Sequence, residues 1–416
     1  MHPDSVTLRV GVVDQTISGW TAAGVYSRMV LRSLEAANRP STVHLCFFTS
    51  QETKAFFADD SSIQTIKLEA ADYLPAERQI RRLLRIAEKA GPIRGEYRVR
   101  KLLGISSAAD VFASAEKNRV DVLLPLLDIP PWKISPRTIG WIPDFQHVYL
   151  PGLFSKSDLD QRDSTFQRVA ERATVVMLSS MAAYEDFAAF APAHAKKGRV
   201  ISFPSLLAFD SVSGDPIETR SRFNLPEKFA LVANQFWSHK NHALVVQALA
   251  ALKNSEPAIP VVMTGLPADH RDPTNKAFSS LLQLIAVADL HERVRILGLV
   301  SYQDLINLMR AAALVINPSR FEGWSTVVQD AKALGRPLLC SDIKVHREQA
   351  PDCLGFFSPD DPEGLASLLK SKWPELTPGP DKAAEENSLL RERSFASAHG
   401  RALIELCSEA ALEFRT

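Results

Sequence analysis

The sequence predicts two α/β domains in tandem, each a parallel sheet covered on both faces by helices, doubly wound and Rossmann-like. Three observations predict this. Short apolar runs alternate with longer stretches of helical periodicity from end to end. That alternation breaks once, around residues 204–224, and then restarts. At 416 residues the chain is also too long for one ordinary hydrophobic core.

In the first half, residues 8–13, 43–48, 120–124, 138–142 and 175–178 are strand-like. None shows strict alternation, as expected for strands buried on both faces. Helical patterns at 23–36 and 163–172 lie among them. Ser180, after the fifth strand, is the expected N-cap of the next helix. The break carries Pro204, Ser213, Gly214, Asp215 and Pro216 with little periodicity and reads as a linker. Beyond it, strands are expected at 229–233, 259–264, 294–297, 313–317 and 337–340, each followed by a helix. The tail from about 385 to 414 is helical and rich in Ala, Leu and Glu. The predicted division is 1–205 for the first domain, 206–385 for the second, and 386–416 for a terminal helix. Two such sheets imply a cleft, with ligand-binding residues in the loops at the carboxyl ends of the strands.

Composition narrows the function classes. Basic and acidic residues cancel at 48 each, so no whole-chain field points to nucleic acid. Cys46, Cys340, Cys353 and Cys407 have no C-x-x-C spacing and read as reduced, packed thiols of a cytoplasmic protein. No run approaches the roughly 20 apolar residues of a membrane span, and residues 1–13 lack the pattern of a secretory leader. Residues 78–101 hold nine Lys or Arg against two Glu, with Ile80, Leu83, Leu84 and Ala87 on one helical face. Such a stretch is either a solvated face or a peripheral contact with an anionic membrane or acceptor.

The strongest local signal begins at Asn317-Pro318, where an apolar strand ends. A loop with Glu322 and Gly323 follows, then Trp324 and a helix entered at Ser325 or Thr326. Thr326 with Gln329 fits a capping box, and Gly335 with Pro337 supplies the stop. A helix entered through such a loop points free N–H groups and partial positive charge at the cleft, which suits a diphosphate. Glu322 and Asp330 can then reach different parts of one extended ligand.

This stretch resembles the E-x7-E motif of the family 4 retaining glycosyltransferases, which have the GT-B fold of two Rossmann-like domains facing a cleft. The resemblance implies that Glu322 contacts the donor sugar, that the backbone after Gly323 holds phosphate, and that Asp330 binds the ribose. Asp330 is one methylene shorter than the family's usual Glu. Lys240 matches the family's diphosphate-binding Lys. It stands at a helix start, where the dipole disfavours a cation, so a bound anion accounts for it. The arginine that accompanies it in the family is missing; Asn234 or Gln235 is near its place, leaving His239, Arg320 or another cation as substitutes. Leu297 ends the strand whose backbone edges the base in the family, and Gly265 permits a turn or a close ligand approach.

In the first half, Gly19 and Gly24 resemble the family's glycine-rich loop facing donor phosphate and acceptor. Asp144 and His147 fall in the loop that the resemblance places near the reacting bond, and are candidates to position the acceptor hydroxyl or take its proton. Pro143 stands where the family often has His. Asp158-Leu159-Asp160 reads as a helix start, not a metal site. The resemblance implies retaining, metal-independent transfer of a hexose-type sugar, without a cofactor. It further implies a GDP-, UDP- or dTDP-sugar as donor and a glycan or lipid-linked hydroxyl as acceptor. A nucleotide-sugar epimerase or hydrolase of the same fold, and a non-catalytic sugar sensor or partner subunit, remain as alternatives.

Overall fold

The computed structural model describes residues 7–15, 21–37, 39–49, 63–68, 107–130, 134–254, 258–269, 271–272 and 274–412. Gly19 and the basic stretch 78–101 lie outside the described residues.

The first domain is a seven-stranded sheet in the order β3-β2-β1-β4-β5-β6-β7. Its strands are β1 (Leu8–Val13), β2 (Val43–Thr49), β3 (Ile63–Lys67), β4 (Val122–Leu126), β5 (Arg137–Ile142), β6 (Val175–Leu178) and β7 (Gly198–Val200). The second is a six-stranded sheet, β10-β9-β8-β11-β12-β13. It comprises β8 (Ala230–Val232), β9 (Val261–Thr264), β10 (Val294–Gly298), β11 (Leu314–Asn317), β12 (Leu338–Ser341) and β13 (Gly355–Phe357). Every pairing in both sheets is parallel. The ten expected strands are all present.

The inner strands β4, β8, β9, β11 and β12 are buried along their whole length, which is why they read as apolar runs, with a polar residue only at the carboxyl ends of β9, β11 and β12. Successive residues feed opposite layers: Val10 and Val12 pack in one core, and Val13 in the other. The strands not anticipated, β3, β7 and β13, are short and lie at or near the sheet edges. β3 reads Ile-Gln-Thr-Ile-Lys and is half exposed, so only its pairing with β2 marks it as a strand.

The break at 204–224 is not a plain linker. It contains the helix Pro216–Arg222, whose N-cap Asp215 accepts from the Ile217 N–H at 2.7 Å. Leu207, Val212 and Phe223 join the apolar core of the second domain. The Asp-then-Pro signature of a helix start was present in the sequence, but seven mostly polar residues carry almost no periodicity.

The helix Lys382–Leu412 leaves the second domain and packs on the helix Thr21–Ala36 of the first. Leu403, Leu406, Cys407 and Ala410 enter that domain's core. His399 Nδ1 lies 2.8 Å from Ser33 Oγ, and a Cβ on Gly400 would sit 1.9 Å from the Ser33 carbonyl oxygen. Only glycine lets the two helices approach so closely.

Candidate active site

Strand order reverses direction between β8 and β11, so the loops leaving these neighbours diverge and open a crevice. The loop after β8 carries Asn234 to Lys240, and the loop after β11 carries Pro318 to Ser325. They are tied together at their roots. Asn234 Nδ2 donates to Asn317 Oδ1 at 3.4 Å, and Asn241 Nδ2 donates to the Pro318 carbonyl at 3.2 Å. Asn234 is therefore a brace between the two loops.

On that base Lys240 Nζ meets Glu322 Oε1 at 2.7 Å, with both side chains nearly buried. Ser319 Oγ lies 2.7 Å from the same oxygen. Burial pushes the Glu322 carboxyl up, but the charges of Lys240 and His346 and the hydrogen bonds from Lys240 and Ser319 outweigh it. The carboxyl thus titrates below its ordinary range and stays ionised at neutral pH. The anion beside Lys240 in the structure is Glu322 itself.

The helix Thr326–Ala333 begins as expected in place but not in chemistry. Ser325 is the N-cap, accepting from the Val328 N–H and from Asn317 Nδ2 at 2.7 Å. Gln329 forms no capping box; its amide donates to Glu392 on the terminal helix. Thr326 is exposed in the first turn.

Gly323 faces the first domain. A Cβ there would lie 2.2 Å from the Pro143 carbonyl oxygen and 2.9 Å from Asp144 Cβ. The residue is glycine because the Glu322 loop closes against the loop after β5. Phe321 packs on Tyr149 with ring centroids 5.4 Å apart, and Glu348 accepts from the Met181 N–H at 2.8 Å. The carboxyl ends of the two sheets therefore meet. Trp324 points away from the crevice: its Nε1 donates to the Phe203 carbonyl at 3.0 Å, and its ring packs edge-on against Phe203.

Asp330 is buried, with Oδ1 2.5 Å from Ser205 Oγ. Glu392 accepts from the Ser205 backbone N–H at 2.6 Å, so two carboxylates grip the crossing between domains. Burial pushes the Asp330 carboxyl up to about 7, against the Ser205 hydrogen bond and with help from the Glu392 charge. A raised pKa means the folded state holds a proton that the unfolded chain releases near pH 4. Asp330 therefore contributes stability below pH 4 that is lost as pH rises through 7. Relative to Asp330→Asn, the wild type should lose melting temperature across pH 4–7, followed by thermal denaturation; parallel curves would show that folding leaves the Asp330 carboxyl unshifted.

Asp144 keeps a place at the crevice. Its Oδ1 accepts from the Gln146 N–H at 2.9 Å and lies 3.7 Å from Arg162. His147 does not share it. The ring is buried against Phe145, Phe154 and Phe166, with Nε2 3.0 Å from Asp163. Burial lowers its pKa despite Asp163, so it packs the loop as a neutral ring. Gly24 is buried inside the helix Thr21–Ala36.

Neither named substitute for the absent arginine stands as a cation facing the crevice. His239 is buried and pushed down to about 2, first by burial and then by the charges of Lys240, Arg271 and His242. Arg320 turns outward to pair with Asp360. Gly265 permits a close approach, but to protein: a Cβ would lie 2.2 Å from the Asn234 carbonyl oxygen. Leu297 packs half-buried on the second domain's core, and nothing lies within 4 Å of a Cβ built on the neighbouring Gly298.

Two parallel-sheet domains meeting at their carboxyl ends have the architecture of the GT-B fold. Residues 215–371 match the family described as Glycosyl transferases group 1. Over 150 residues the chain is 32% identical to a D-inositol 3-phosphate glycosyltransferase of Salinispora tropica, covering 33% of this chain and 30% of that protein. Over 169 residues it is 27% identical to the O-antigen chain mannosyltransferase RfbU of Salmonella typhimurium, covering 41% and 44%. The matched regions thus span less than half of either curated relative. Among solved structures, Anabaena HepE in complex with UDP superposes with a TM-score of 0.60 at 16% identity, covering 97% of this chain and 100% of that one. Among the described residues no helix is long and apolar enough to cross a membrane.

Proposed function

We propose that the chain is a retaining, metal-independent hexosyltransferase that moves a sugar from a nucleotide-sugar donor to an acceptor hydroxyl. The observation that carries this reading is the Lys240–Glu322 pair, set by the two switch-point loops and roofed by the loop of Asp144. The donor lies along the second domain, with its diphosphate near Lys240 and the first turn at Thr326. Positive potential at a helix N-terminus and an adjacent ammonium favours departure of the nucleoside diphosphate. Glu322, held ionised, stabilises the positive charge that develops on the sugar. Asp144 faces the Glu322–Gly323 loop and orients the acceptor hydroxyl; His147, packed away, takes no part. Asp330 reaches the donor ribose only through the oxygen that Ser205 leaves available. The acceptor is a glycan or lipid-linked hydroxyl, in keeping with the relative named for O-antigen chain synthesis.

Incubation with UDP-, GDP- and dTDP-hexoses, with and without hydroxyl acceptors and in the presence of EDTA, tests this reading. Acceptor-dependent release of nucleoside diphosphate that survives chelation is expected. Release without an acceptor would make the chain a hydrolase, and loss of activity on chelation would remove metal independence. No donor bound at all would overturn the reading.

A further inference from the structure

The loop after β9 is fastened to the loop after β8. Gly265 lies against the Asn234 backbone, as described above. Phe236 N–H donates to the Leu266 carbonyl at 3.1 Å, and Leu266 N–H donates to Gln235 Oε1 at 2.5 Å. Trp237 Nε1 donates to the Ala268 carbonyl at 3.3 Å. These links deliver one cation, Arg271, to the edge of the crevice beside His239, the residue before Lys240.

Arg271 is held as a fixed fork. Asp269 accepts from its Nε at 3.0 Å and from one terminal nitrogen at 3.1 Å, and its backbone N–H also donates to Asp269 at 3.0 Å. The guanidinium lies over Trp237, 5.0 Å from the ring centroid, and 3.4 Å from His239 Nδ1. The side chain is only 11% exposed. Its other terminal nitrogen donates across the crevice to Gln146 Oε1 at 2.9 Å. A buried cation, oriented from behind by a carboxylate, thus presents its forward N–H groups to a neutral amide of the opposite domain. An oxyanion displaces a neutral acceptor at such a site with a gain, because it adds the attraction of opposite charges and a bidentate match to the guanidinium fork.

We propose that Arg271 is a second cation for the diphosphate of the donor and of the departing nucleoside diphosphate, Gln146 holding its place when the crevice is unliganded. This rests on the donor-site reading above. Lys240 is committed to Glu322, His239 is neutral and Arg320 faces outward, so among the described residues of these loops Arg271 is the cation placed to share the charge. Its planar fork also supplies what a lysine lacks, two parallel donors for one phosphate.

Calorimetric titration of UDP, GDP, dTDP and their nucleosides into wild type, Arg271→Met, Arg271→Lys and Gln146→Ala tests the assignment. Arg271→Met is expected to weaken whichever diphosphate binds by roughly 10- to 100-fold, in line with loss of a charged hydrogen-bond partner, while leaving the nucleoside unchanged. Arg271→Lys should recover only part of the loss, and Gln146→Ala should bind the diphosphate at least as tightly as wild type. Equal diphosphate affinity in Arg271→Met, or the same loss in Gln146→Ala as in Arg271→Met, would overturn the proposal and make Arg271 a clasp between domains. Wild type that binds none of the three diphosphates would instead fail the donor-site reading. Matching thermal melts of wild type and Arg271→Met confirm that a folded protein is being compared.

Discussion

Glu322→Gln is expected to lower turnover by about 10²–10³-fold, the usual loss when one preorganised electrostatic contact to a transition state is removed. The substitution keeps the shape, and the amide oxygen can still accept from Lys240 and Ser319, which now hold a neutral group. What disappears is the negative charge that the structure takes care to preserve. Burial pushes this carboxyl up, and the Lys240 charge with the hydrogen bonds from Lys240 and Ser319 brings it down. Affinity for nucleoside diphosphate should survive or rise, because Lys240 is released from its ion pair. Steady-state turnover and diphosphate titration on the same preparation separate the two effects. Activity near that of wild type would show that the Glu322 charge plays no part in the chemistry.

Lys240→Met should be costly in a different way. The pair is almost fully enclosed, with 14% and 9% of the side chains exposed, and removing one member leaves the other as a buried charge. Breaking such pairs typically costs about 3–5 kcal/mol. Glu322 would escape the penalty by taking up a proton, so the loss should be larger at pH 8 than at pH 5. The double variant Lys240→Met/Glu322→Gln removes both charges and should recover most of the stability without recovering turnover. Denaturant unfolding of the four proteins gives the coupling energy directly. A single variant as stable as wild type at pH 8 would mean that water, not Lys240, solvates Glu322.

Both predictions depend on a contact between residues 82 positions apart, and the sequence and the tertiary structure contribute to it unequally. The strands could be read from the chain because a parallel strand buried on both faces is mostly apolar: β4 is so throughout, and β9 and β11 are up to their last residues, Thr264 and Asn317. The helix behind Glu322 could be read because capping is local: Ser325 and Gly335 mark its ends within a few residues of their partners. Edge strands such as β3 escaped, since their stability comes from a neighbour and not from their own pattern.

The tertiary structure alone decided which loops meet. Lys240 reaches Glu322 because β8 and β11 are neighbours across a crossover, and neither segment encodes that adjacency in its periodicity. The same limit applies to Arg271, whose short run of residues gave no signal until Gly265 pressed its loop against Asn234. It applies to His147, whose fate was decided by three phenylalanines folding around it, and to Asp330, turned toward Ser205 by the terminal helix that carries Glu392. Residue type and spacing determined what chemistry this chain can offer. Burial and partner charge, which exist only once distant segments pack, determined which groups are ionised and which of them face the crevice.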